Sequence, residues 1–450
     1  MAKDTDIRFL DIEYDFEEHP YRTPLKFGGV PTDNCTLFNV RLRAQTRDGK
    51  EAVGFGSMPL GNVWAFPPRF VSVDASLAAM KLLAIRAAED VLSWTLCAHP
   101  IDLSAMLEPQ FKRLAAIVSD DLELTTPIPD LCTLVTTSPI DAAIHDAFGK
   151  ANGINSYNAL GPDFVHDDLA SYLGSEFAGK YLDAYVSERP QPSIPLYHLV
   201  GALDPLTDAD ISKRLDDGLP ETLPEWILAD GLTHLKVKLN GDDLDWDVDR
   251  FLSVDRITAE TQAGRGVTEW RYSADFNEQC QDVQYLLDFL AKTQEGDGQA
   301  FSRLAYIEQP TDRDLRAHPE NRMHKAAEIK PVVIDEALTD HETLLLAREQ
   351  GYSGVALKAC KGQTESLLMG AAAIEYGMFL AVQDLTCPGA SFLHSAGLAA
   401  RVPGVTAIEG NGRQYCPAAN EEWEDDFPSI FDITDGTVGT HVLTGPGLGH

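Results

Sequence analysis

Thr233-His-Leu-Lys-Val-Lys-Leu239 is a short apolar stretch carrying two lysines, Lys236 and Lys238, two residues apart. In a strand such residues point to the same side, so two ammonium groups project together among Leu and Val neighbours. Stacked like charges are unfavourable unless anions face them. Anions follow at intervals. Apolar runs end in Asp275, Glu308 and Asp335, then in Lys358, Asp384 and Glu409. From Lys238 onward the steps are 37, 33, 27, 23, 26 and 25 residues, each the length of one strand and one return helix. The spacing predicts a parallel (β/α) barrel of the TIM type with a charged residue at the C-terminal end of each strand, where such barrels assemble their active sites.

At 450 residues the chain is too long for one ordinary domain. Hydrophobic residues at 44% and charged residues at 24% fit a globular protein. A formal net charge of -34 argues against nucleic acid or an anionic membrane as partner. An anionic small molecule must then be captured locally, by lysines. Seven cysteines with no CxxC pair read as reduced thiols of a cytoplasmic protein. The N-terminus lacks an apolar signal core, and no run approaches the ~18 apolar residues of a membrane span.

Upstream, residues 6–15, 35–44 and 52–57 read as strands, with a turn at Arg47-Asp48-Gly49-Lys50. Residues 76–95 show helical spacing. Ser138-Pro139 reads as the capped start of another helix that stops near Gly153. The expected organisation is an N-terminal α+β capping domain over 1–160, an insertion or linker over 161–193, the barrel over 194–432, and a C-terminal segment over 433–450 that returns to the capping domain. Tyr21–Val30, with Gly28-Gly29 beside Lys26 and Phe27, reads as a lid.

Three carboxylates at one end of adjacent strands repel each other, and a divalent cation relieves that repulsion. All-oxygen ligands select Mg2+ or Mn2+ over zinc. The expected ligands are Asp275, Glu308 and Asp335, with Glu336 pointing away if the strand is still regular there. Lys236 and Lys238 on the second strand face Lys358 on the sixth across the mouth. A substrate carboxylate bound there sits between amines able to take the proton from its neighbouring carbon, with the metal holding the resulting enediolate. Lys236 and a metal ion both disfavour the charged form of Lys238, as a base requires. Asp384 is expected to hold Lys358 by an ion pair, and Glu409 to be a supporting partner. His198 and His394 read as packing residues, and Lys361 as a loop or surface charge.

These stretches carry a family resemblance. Leu235-Lys-Val-Lys238, Ala274-Asp275, Ile307-Glu-Gln-Pro310, Ile334-Asp-Glu336, Ala356-Leu-Lys358 and Ser138-Pro-Ile-Asp-Ala-Ala-Ile-His-Asp-Ala-Phe-Gly-Lys150 together resemble the enolase superfamily, in its muconate-lactonizing and dipeptide-epimerase-like group. The resemblance implies a base role for Lys238 assisted by Lys236, an acid/base role on the opposite face for Lys358, metal binding by Asp275, Glu308 and Asp335, and a symmetric homo-oligomer. Lys361-Gly362-Gln363 departs from the family's frequent Gly-Gly pair, and Gln383-Asp384 from its usual Glu, where substrates are read.

The expected activity is Mg2+-dependent abstraction of the α-proton of a small carboxylate, with return on the opposite face (racemase or epimerase). Acid dehydratase or cycloisomerase chemistry is the alternative on the same scaffold. A Schiff-base aldolase using Lys358 and a non-catalytic barrel that binds metal or acid are weaker readings.

Overall fold

The computed structural model describes residues 2–27 and 29–450. Gly28 of the lid reading lies outside the described residues. An antiparallel sheet opens the chain: β1 (Ile7–Phe27), β2 (Val30–Thr46) and β3 (Glu51–Pro59), in that order. β1 runs well past the expected residue 15, because it pairs with β2 from Ile7↔Thr46 to Phe27↔Val30. The described lid residues thus lie toward the end of one long hairpin. Phe38, Val40 and Leu42 alternate inward along β2 and are fully buried.

Helices Val73–Val91 and Asp130–Asn152 pack on this sheet, and Pro100–Asp121 packs on both of them. Asp130–Asn152 corrects the reading of Ser138-Pro139 as a helix start, since Pro139 lies inside the helix. Pro has no N–H to donate, which costs an interior hydrogen bond. Just before it, Thr136, Thr137 and Ser138 turn their hydroxyls back to the carbonyls of Cys132, Thr133 and Val135. Burial on nearly every side holds the helix together through this point. It ends at Gly153, whose φ of 67° is the left-handed cap glycine favours. β3 lies against it through Gly54 and Gly56. A Cβ on Gly56 would stand 1.9 Å from the Pro139 carbonyl oxygen.

Among the described residues, eight parallel strands then close a barrel: β4 (Ile194–Val200), β5 (His234–Lys238), β6 (Arg271–Asp275), β7 (Leu304–Glu308), β8 (Val332–Ile334), β9 (Gly354–Leu357), β10 (Phe379–Val382) and β11 (Ile408–Glu409). Pairing of Ile408 with Leu196 joins the last strand to the first. A short β12 (Thr437–Val438) adds antiparallel to β4. Tyr197, Tyr306, Val333, Ala356, Ala381 and Ala407 fill the interior below the mouth.

Residues 161–193 form short helical turns that bury Leu173, Phe177, Leu182 and Tyr185, with Lys180 and Tyr185 both reaching Glu375 of the barrel. The C-terminal segment reaches the N-terminal domain, where the Ser156 amide donates to the Gly447 carbonyl and the Leu448 amide to Asp146. Among the described residues, no helix is long and apolar enough to cross a membrane.

Candidate active site

Parallel pairing sets the site. Lys238, Asp275 and Glu308 are aligned in register across β5, β6 and β7. Asp335 follows β8 by one residue and Lys358 follows β9 by one. All five side chains are buried at the C-terminal mouth. Lys238 Nζ donates to Asp275 Oδ2 at 2.5 Å and to Asn277 Oδ1 at 2.9 Å. Lys236 Nζ lies 3.0 Å from Asp275, 2.8 Å from Glu308 and 2.8 Å from Glu409. On the far side, Lys358 Nζ is 2.8 Å from Asp335 Oδ2, and Lys361 Nζ is 3.2 Å from Asp335 Oδ1. The lysines of the second and sixth barrel strands therefore flank three carboxylates from the strands between.

The electrostatics follow from these contacts. Burial alone would raise Asp275, but Lys236 and Lys238 outweigh it and hold its carboxyl far below the usual range. Asp335 is lowered in the same way by Lys358 and Lys361. Glu308 goes the other way: desolvation first, then the charge of Asp275, pushes it well above the carboxylate range, against the pull of Lys236. Burial opposes the charge on Lys358, yet Asp335 prevails and keeps its ammonium above the ordinary lysine value.

Three expectations need correction. Lys358 pairs with Asp335 rather than Asp384. Asp384 turns its oxygens to the backbone amides of Cys387 and Asn411, and desolvation together with Glu409 raises it to about 7. Lys361 is a buried residue, not a surface charge. Its ammonium also donates to the Asp335 carbonyl oxygen at 2.5 Å. Glu336 faces the mouth because β8 ends at Ile334, so strand alternation no longer governs it. Its Oε1 accepts from Trp64 Nε1 at 2.9 Å and from Asn277 Nδ2 at 3.3 Å.

Among the described residues, no three His, Cys, Asp or Glu side chains stand close enough together to hold a metal ion as they are placed. Lysine ammonium groups lie between the carboxylates instead. The donor set still fits a hard cation. Glu308 is destabilised by Asp275 and Asp335, which is the repulsion a cation relieves. Both Asp335 carboxylate oxygens and Glu336 Oε2 are buried without a hydrogen bond; the Asp335–lysine contacts are ionic, without hydrogen-bond geometry.

The N-terminal domain roofs this mouth. Phe27 toward the end of the hairpin and Trp64 of the short helix Asn62–Ala65 line a cavity of about 150 Å³ with Asn277, Arg313 and Glu336. A hollow of about 60 Å³ beside it is lined by Lys26, Lys238, Asn240 and Asn277.

A family profile described as enolase C-terminal domain-like matches residues 219–450, just over half the chain. The chain belongs to the enolase superfamily. No curated protein sequence matches it. Among solved structures, this superfamily member is similar to the L-Ala-D/L-Glu epimerase of Bacillus subtilis at 16% identity, with 98% of each chain covered and a TM-score of 0.63. It is similar to muconate lactonizing enzyme of Pseudomonas fluorescens, complexed with muconolactone, at 18% identity, with 98% of this chain and 96% of that one covered and a TM-score of 0.61. A dipeptide epimerase of Enterococcus faecalis, complexed with Mg and L-Leu-L-Tyr, matches at 13% identity, with 99% of each chain covered and a TM-score of 0.62. At these identities the likeness concerns the fold.

Two residues at the mouth of this superfamily member escaped the sequence reading. Trp64 belongs to no charged pattern and reaches the site only through domain packing. Asn277 lies two residues past Asp275, the last residue of its strand, and its φ of 44°, with 61° at Glu278, places two consecutive non-glycine residues in the left-handed region. Such backbone is held only where its surroundings fix it. Here Arg313 pairs with Glu278 through both oxygens, at 2.6 and 2.8 Å. An Asn at this offset after a strand-end Asp was the available signal.

Proposed function

We propose that this protein removes the α-proton of a small carboxylate substrate and returns a proton to the opposite face, as a racemase or epimerase. The reading rests on one observation above all: Lys238 and Lys358 stand on opposite sides of the Asp275–Glu308–Asp335 row. A binder needs no amine on both sides of its ligand.

Asp275, Glu308 and Asp335 would hold a divalent cation, and Mg2+ suits an all-oxygen set. The Mg in the Enterococcus faecalis epimerase complex supports that choice. Bound there, the cation supplies Lewis-acid polarisation of the substrate carboxylate. The chain's own groups do the rest. Lys238 acts as base only as a free amine, so its contact with Asp275 must loosen before it accepts the proton. Lys358, held as an ammonium, delivers a proton from the other face. Lys236, tied to Glu308 and Glu409, keeps positive charge beside the reacting carboxylate throughout. Phe27 and Trp64 exclude water from the exchanging proton.

The test is incubation of the Mg2+-supplemented protein in D2O with a library of amino, N-acyl and hydroxy acids, read by NMR and mass spectrometry. Deuterium at the α-carbon with inversion supports the proposal. Loss of water would point to a dehydratase, and ring closure to a cycloisomerase. Absence of α-exchange across the library would contradict it.

A further inference from the structure

A sizeable cavity lies away from the barrel mouth. A space of about 340 Å³ lies between helices Pro100–Asp121 and Asp130–Asn152 of the N-terminal domain and the segment that follows β9. That volume is in the range of small-molecule sites, about 300–1,000 Å³. None of Lys236, Lys238, Asp275, Glu308 or Asp335 lines it. One wall is apolar and built from Leu107, Phe111, Leu134 and Leu368.

The polar wall is acidic: Glu108, Asp141, Asp340 and Glu365 all face the space. Three of these have partners. Glu108 meets Lys112 at 2.8 Å. Asp340 caps the helix His341–Glu349 through the Thr343 amide. Asp141 accepts from Ser104 and from both the amide and the hydroxyl of Thr364. Glu365 differs, because its Oε1 is shut off from solvent with no hydrogen-bond partner. Desolvation, then the negative charge of Glu108, pushes its carboxyl up to about 8. The one lysine that lines the cavity, Lys361, turns its ammonium away to Asp335. The space therefore combines a hydrocarbon wall, a solvent-shielded carboxyl oxygen of Glu365 with no partner, and an acidic rim whose other members are already paired.

We infer that this cavity is a second small-molecule site, taking a primary ammonium on a compact apolar body, with the ammonium on Glu365 and the body against Leu107, Phe111 and Leu134. An ammonium donates the hydrogen bond that Glu365 Oε1 lacks, and its positive charge favours the ionised form of that buried carboxyl. The inference does not depend on the proposed reaction. Its position gives it a route to the barrel mouth, since Lys361 and Gly362 line the cavity while Lys358 and Lys361 contact Asp335.

The test is calorimetric titration of the full-length protein with benzylamine at pH 7, with benzyl alcohol as the uncharged isostere. Saturable one-to-one binding of benzylamine is expected, with benzyl alcohol weaker by about ten-fold or more, the factor that goes with about 1.4 kcal/mol. Glu365→Gln should weaken benzylamine by a similar factor. Leu134→Trp, which fills the apolar end, should abolish binding; if that variant unfolds, Ser171→Trp on the exposed rim serves the same purpose. Lys238→Ala should leave binding unchanged. Equal binding of the alcohol, retention in the filled variant, or no saturable binding would each overturn the site. Loss of binding in Lys238→Ala would place the probe at the barrel mouth instead, and would equally overturn it.

Discussion

The Lys358 ammonium lies 4.5 Å from the centre of the Trp64 ring, so the N-terminal domain places an indole face directly over an amine of the barrel. Trp64 also donates from Nε1 to Glu336, next to Asp335, the carboxylate that Lys358 contacts. A cation–π contact in a desolvated site is worth about 2 kcal/mol. Trp64→Leu should therefore lower kcat/KM by about ten- to thirty-fold, since 1.4 kcal/mol is one factor of ten. Steady-state kinetics of the variant, with circular dichroism to confirm the fold, check this. Unchanged kinetics would reduce Trp64 to a packing residue.

Metal dependence follows from the carboxylate row. Treatment with a chelator should abolish turnover, and Mg2+ or Mn2+ should restore it. A ligand present at a hundred times its Kd stabilises a fold by about 2.7 kcal/mol, so Mg2+ should raise the Tm of the wild type. Glu308→Gln, at the centre of the row, should lose most of that shift. Calorimetric melts with and without Mg2+ make the comparison without reference to activity.

Acid stability should reflect His394. Its ring is buried, accepts the Ser57 amide and contacts His450, and desolvation lowers its pKa to about 3. The folded state therefore keeps it neutral, while the unfolded chain protonates it below its ordinary value of about 6.5. Stability from this group is complete above about pH 6.5 and is lost progressively as pH falls toward about 3. By pH 5 the loss is about 2 kcal/mol. Urea unfolding at pH 7.5 and pH 5 should show a shallower pH dependence for His394→Gln than for the wild type.

Gly56→Ala should be among the most damaging small substitutions. The added methyl would meet the Pro139 carbonyl at 1.9 Å and the Ala143 amide nitrogen at 2.9 Å, both backbone. Overpacking of this kind costs about 3 kcal/mol. The loss should appear in the N-terminal sheet by hydrogen exchange. A melting curve that overlays the wild type would contradict the close packing of β3 on its helix.

The barrel is legible because a charged residue stands at, or within two residues beyond, the C-terminal end of every strand from β5 to β11, so spacing alone counts the βα units from Lys238 to Glu409. Lys236 and Lys238 foretold the anions that face them, since two stacked amines cannot be buried alone. What stayed hidden depended on packing between distant segments. Pro139 reads as a helix start, and only burial on all sides carries a helix through it. The segment around Lys26–Phe27 reads as a lid and not as strand, because pairing over twenty residues leaves no local mark. Trp64 meets Lys358 across nearly three hundred residues of chain. Asp384 reads as the partner of Lys358, but distance in sequence says nothing of the amides at Cys387 and Asn411 that claim it.

The central claim is that two lysines serve two faces of one carbon. The most direct test takes the acid that exchanges fastest with the wild type, and measures interconversion of its stereoisomers by Lys238→Ala and by Lys358→Ala, with Mn2+ occupancy followed by electron paramagnetic resonance. Loss of a positioned base costs about 10²–10⁴ in rate. The account predicts a loss of that size in both variants, with the ion still bound. Full activity in either one, with the ion in place, would contradict it.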